Sequence, residues 1–114
     1  MLSKAVIDQL YRTYPRRVDS PDELDIAVLF EELMDFHDVG IDEEGNLVLG
    51  TVEETSPFRS IPLRNIHAIV NFEDEVAIVL PASIIILDKS GPQVYVNLRA
   101  PGTGLKGWVQ RLLS

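Results

Sequence analysis

Between residues 3 and 14 the apolar side chains Val6, Ile7, Leu10, Tyr11 and Tyr14 recur at the steps that line one face of an α-helix. Pro15 stops that helix, since it has no amide hydrogen and disfavours helical geometry in the residue before it. A second helical period begins with Ser20, Pro21, Asp22 and Glu23. There a serine can cap free amides, proline suits the first helical position, and Glu23 completes a capping box in which Asp22 and Glu23 favour the positive end of the helix dipole. The spacing predicts a helix to about residue 36. Leu24, Val28, Phe30, Leu33 and Met34 turn inward at least in part, Glu31, Glu32 and Asp35 turn to water, and Gly40 marks the exit.

Beyond Gly40 the period changes from helical to alternating. Gly45 and Asn46 predict a turn, and strands are expected over 47–53 and 58–63, separated by residues 54–57. In 65–72, Ile66, Ala68, Val70 and Phe72 fall on one face and Asn65, His67, Ile69 and Asn71 on the other, the pattern of a sheet with one wet face. Residues 73–75 read as a hairpin tip and 76–80 as its return strand. Residues 83–88 are apolar on both sides and rich in isoleucine, which places them in the middle of the sheet. Gly91 and Pro92 set a turn. In the last strand Val94, Val96 and Leu98 alternate with Gln93, Tyr95, Asn97 and Arg99, and the chain ends on a helical run carrying Leu105, Trp108, Val109, Leu112 and Leu113.

Helices and strands that come in runs, joined by turns too short for a parallel crossover, predict a single α+β domain over residues 1–114. It would hold two N-terminal helices, an antiparallel sheet of about five to six strands, and a C-terminal helix packed on the sheet. A strand-rich body closed by a C-terminal amphipathic helix also resembles, in outline, pleckstrin-homology-like domains. That resemblance covers residues 46–114, implies a barrel from residue 46 onward as the alternative architecture, and leaves the two leading helices outside it. A shared fold would carry no function with it.

The composition narrows the function classes. With 114 residues, 46% of them hydrophobic and 25% charged, the chain can close a core without metals or disulfides and reads as a soluble protein. It has no cysteine, which excludes thiol nucleophiles and thiolate metal sites and fits a cytoplasmic location. The first residues lack the apolar core of a signal peptide, and the densest apolar run, 76–87, is broken by Pro81 and shorter than the roughly 20 residues that cross a bilayer. No membrane is expected as a partner. Residues 1–56 hold four basic and fourteen acidic side chains, a net −10, whereas residues 57–114 hold six and four, a net +2. Nucleic acid is not expected either, because counterion release needs clustered Lys and Arg. An acidic surface instead attracts a basic patch on another protein.

Candidate chemistry is sparse. Gly102, Gly104 and Gly107 have the spacing of a dinucleotide loop, but the seven residues after them cannot supply the second strand and ribose-holding acid of that fold, so no cofactor is expected. The glycines instead read as a turn into the last helix, with Thr103 as its cap. His37 lies among Asp35, Asp38 and Asp42 without matching a calcium loop, and is expected at a solvated helix end with no metal. His67 falls on the wet sheet face with Asn65, and Tyr95, Asn97 and Arg99 would share that face if the last strand lay near it. These five form the candidate ligand- or partner-binding patch. No catalytic residue is assigned, since no serine has nucleophile-elbow spacing and only three lysines are present. The expectation is a non-enzymatic protein-binding or adaptor module, with a small-ligand or catalytic pocket around His67 and Tyr95 as the alternative. A free sheet edge would leave room for a homo-oligomer.

Overall fold

A computed structural model describes residues 3–13, 24 and 26–98. In chain order the elements are α1 (Lys4–Thr13), α2 (Ile26–His37), β1 (Val39–Ile41), β2 (Asn46–Leu49), β3 (Ser60–Pro62), β4 (Ala68–Asn71), β5 (Glu75–Val79), β6 (Ser83–Asp88) and β7 (Val94–Leu98). The strands pair antiparallel throughout, in two sheets ordered β1-β2-β3 and β4-β5-β6-β7. The mixed α+β class and the antiparallel pairing agree with the sequence pattern. The single sheet of about five to six strands is corrected to sheets of three and four, and the described strands do not close into a barrel from residue 46 onward. The break falls at a 3₁₀ turn, Leu63–Asn65, which redirects the chain after β3 so that β4 opens a new sheet. Tyr14, Pro15, the Ser20–Glu23 capping box, the glycine loop and the expected C-terminal helix lie outside the described residues.

β1 escapes the sequence pattern because three residues, one of them glycine, show no period. It becomes a strand only by pairing Val39 with Leu49 and Ile41 with Leu47. The hairpin between β1 and β2 is built by Asp42, whose carboxylate accepts the backbone amides of Glu44 and Asn46 at 2.9 Å each and the Asn46 side-chain amide at 3.1 Å. Gly45 takes the left-handed φ of 81° that the turn requires.

α2 leaves its helix at Asp38, which holds a φ of 48°, so Gly40 is not the exit. Aspartate is among the few side chains that tolerate this conformation. The Asp38 carbonyl accepts the Gly50 amide at 3.1 Å, and a Cβ on Gly50 would lie 2.6 Å from the Asp38 Cβ, so the approach needs glycine. The inward stripe of α2 is Leu29, Leu33 and His37, spaced by four; Met34, expected inside, is 56% exposed. It sits about 100° around the helix from Leu33.

The four-stranded sheet is covered on both faces. Ile69, Val76, Ile78, Ile85 and Leu87 join the main core with Leu29 and Leu33 of α2 and Leu47, Leu49 and Ile61 of the smaller sheet. On the opposite face Ala77, Val79, Ile84 and Ile86 pack against Ile7 and Leu10 of α1. The expected wet face of residues 65–72 is therefore corrected: Ile69 is buried in the main core. The parity error has a local cause. The His67 amide donates to the Val79 carbonyl at 2.8 Å although the ladder pairs Ala68 with Val79, so two residues face one in a β-bulge. Ile66 consequently joins the main core while Ala68, Val70 and Phe72 face α1. β6 lies inside its sheet and is buried, as its composition predicts.

Candidate partner-binding face

Of the five residues singled out from the sequence, Asn65, His67 and Tyr95 stand on separate elements and do not converge. Asn65 ends the 3₁₀ turn and lines a groove of about 250 Å³ with Phe58, Pro62 and Pro81. His67 stands at the bulge before β4 and is only 9% exposed. Tyr95 lies on β7, half-buried against the α1 cluster, and its hydroxyl donates to the Gln93 side-chain oxygen on the same strand. The backbone of Asn97 pairs with Ile84, and Arg99 lies outside the described residues. Strands β4 and β7 are the two outer strands of one sheet. Three strand spacings, about 14 Å, separate them. A pocket shared by His67 and Tyr95 is not formed by this strand order.

His37, expected at a solvated helix end, is fully buried. Its Nε2 donates to the Asp88 carbonyl at 2.9 Å, and its Nδ1 shares a 3.2 Å hydrogen bond with the Thr51 hydroxyl. Since a carbonyl can only accept, Nε2 carries the proton, and both ring nitrogens are occupied in tying α2 to β6 and to the connection after β2. Lys89 adds a 3.9 Å ion pair to Glu32 of α2. Nearby, the Ser90 hydroxyl and then its amide, both on Oδ1, hold the Asp88 carboxyl below the usual carboxylate range. His37 thus acts as a structural tie. The sequence signal available for it was its place four residues after Leu33, on the buried stripe. Among the described residues no group of three or more histidines, cysteines or acids is placed to hold a metal ion.

Two other features stand out. A groove of about 320 Å³ runs between α1 and β4, lined by Val6, Gln9, Leu10, Thr13, Val70 and Phe72 and mainly apolar. The second feature lies at the end of α2 and on β1. Among the described residues, the large apolar side chains that stand exposed are Met34 at 56%, Phe36 at 43% and Ile41 at 44%. All three fall within 31–44, a stretch that also carries seven exposed acids: Glu31, Glu32, Asp35, Asp38, Asp42, Glu43 and Glu44. It contains no lysine or arginine. Met34 and Phe36 are about 160° apart around the helix, one on each flank of the buried stripe. The exposed apolar surface is therefore distributed around the last turn of α2 and continues on β1, interleaved with carboxylates. No helix among the described residues is long and apolar enough to cross a membrane. Compared with protein-family models, with curated proteins and with solved structures, the chain matches none.

Proposed function

We propose that the protein is a non-catalytic protein-binding module whose partner presents basic residues around apolar anchors. The observation that carries this reading is the coincidence, within 31–44, of Met34, Phe36 and Ile41 with seven exposed acids and no cation. Apolar side chains supply the contact energy at such a surface, and the acids speed encounter with a basic partner and disfavour acidic ones. The engagement of both His37 nitrogens in the fold and the separation of His67 from Tyr95 favour this reading over a catalytic pocket.

Selection from a random-peptide display library at about 0.15 M salt, where charges beyond about 8 Å are screened, tests it. The expected result is enrichment of peptides that combine Lys or Arg with large apolar residues. Their affinity should fall about tenfold in Phe36→Ser or Ile41→Ser, an effect of about 1.4 kcal/mol. Peptides without cations, or peptides indifferent to both substitutions, would overturn the reading.

A further inference from the structure

Among the described residues the strands that end the two sheets are β1, β3, β4 and β7, and three of them carry features that discourage pairing with another chain. β1 is three residues long and flanked by the exposed acids Asp38 and Asp42. β3 is equally short and ends at Pro62, which has no amide hydrogen. β4 is bulged at His67. β7 is five residues long, without bulge or proline, and the one charge that flanks it in sequence is Arg99. Residues 93–98 contain no charge and no proline, and the register from Leu87↔Val94 to Ser83↔Leu98 runs without a bulge. Regular, uncharged, β-branched edges are the ones that pair with a further strand.

We infer that β7 is a homodimerisation edge, pairing antiparallel with β7 of a second copy across a two-fold axis at Val96. The backbone geometry supports that axis. The Asp88 amide donates to the Gln93 carbonyl at 3.2 Å, which makes 88/93, 86/95 and 84/97 the hydrogen-bonded pairs of the β6–β7 ladder. The amides and carbonyls of Val94, Val96 and Leu98 therefore point away from β6. With Val96 facing its own copy and Val94 facing Leu98, these groups form about six hydrogen bonds between chains. Both layers of the sheet continue across the junction. Val94 and Val96 pack at the margin of the main core and Tyr95 at the margin of the α1 cluster, and each is only half-buried in the single chain. A second copy is a better occupant than an acidic or basic partner, because an uncharged strand in the half of the chain with net +2 discriminates for neither. This inference is independent of the acidic face on α2 and β1.

Sedimentation of the full chain from micromolar to millimolar concentration, combined with amide hydrogen exchange, tests it. The sedimenting mass should double with concentration. In parallel, exchange at Val94, Val96 and Leu98 should slow by on the order of tenfold, while Tyr95, bonded within the chain, is protected at every concentration. Val96→Lys sets two like charges opposite each other at the axis and should leave a folded monomer, whereas Val96→Thr, close in shape, should keep the dimer. The exchange measurement on the unsubstituted chain decides the matter even if Val96→Lys fails to fold. A monomer throughout overturns the inference. So does a dimer whose Val94, Val96 and Leu98 amides exchange at the same rate at all concentrations.

Discussion

The two faces of the four-stranded sheet are covered in different ways. One is enclosed by α2 and by a second sheet, so Ile69, Ile78, Ile85 and Leu87 meet apolar side chains from several elements. Among the described residues the other is covered by α1, with a groove left open beside Val70 and Phe72. Ile84 and Ile85 make the contrast sharp, being adjacent on β6, both fully buried, and committed to opposite layers. Burial alone does not rank such residues. The difference lies in how far the surroundings can close over a lost side chain. A sheet held between other elements cannot collapse, whereas one helix beside an open groove can settle inward.

The largest expected effect follows from that contrast. Ile85→Ala should destabilise the protein by about 4 kcal/mol and Ile84→Ala by about 2 kcal/mol, read from urea unfolding midpoints. Equal losses, or the reverse order, would show that the α1 layer is as rigid as the main core.

Next in size is the tie between α2 and the sheet. His37→Ala removes a buried ring and leaves the Asp88 carbonyl and the Thr51 hydroxyl without it, for a loss of about 3 kcal/mol. Amide exchange in α2 should accelerate strongly while exchange in α1 changes only through the loss of global stability. Selective loosening of α1 would break the assignment of His37 to the main layer.

The smallest effect separates the layers by pH. Hydrogen bonds from the Asn46 amide and side chain hold Asp42 below the ordinary carboxylate value, and those from Ser90 do the same for Asp88. Their stabilisation is present above the unfolded value of about 3.9 and is lost as pH falls through the lower folded values. Burial against the sheet raises the Tyr11 phenol of α1, so its contribution is present below the unfolded value of about 10 and is lost as pH rises above it. Denaturant midpoints across pH should fall at both ends. Tyr11→Phe should flatten the alkaline fall, and Asp88→Asn should reduce the acid one. Persistence of the alkaline fall in Tyr11→Phe would assign it to another group.

Much of the architecture was legible where the hydrophobic period was long. Ile7 and Leu10 marked the inner face of α1, and the run Ile84, Ile85, Ile86, Leu87 marked a strand inside a sheet. The period turns both Leu33 and Met34 inward, yet only Leu33 is buried, because one residue's offset around a helix separates core from surface where the partner elements are unknown. The candidate site was less legible. A wet face shared by His67, Asn65 and Tyr95 requires a strand order that alternation does not contain, and the bulge at His67 shifts the parity at the entry to β4.

The sequence by itself determined the α+β class, the acidic character of residues 1–56, the lack of cysteine chemistry, and the identity of most strands, since composition and short-range period act through neighbours along the chain. Tertiary structure alone decided that the seven described strands form two sheets, that His37 is a buried tie, that His67 and Tyr95 lie on different edges, and that Met34, Phe36 and Ile41 remain outside. Each of these depends on which distant segments meet. Pairing order and layer coverage come from contacts between residues far apart in the chain, which no local pattern encodes.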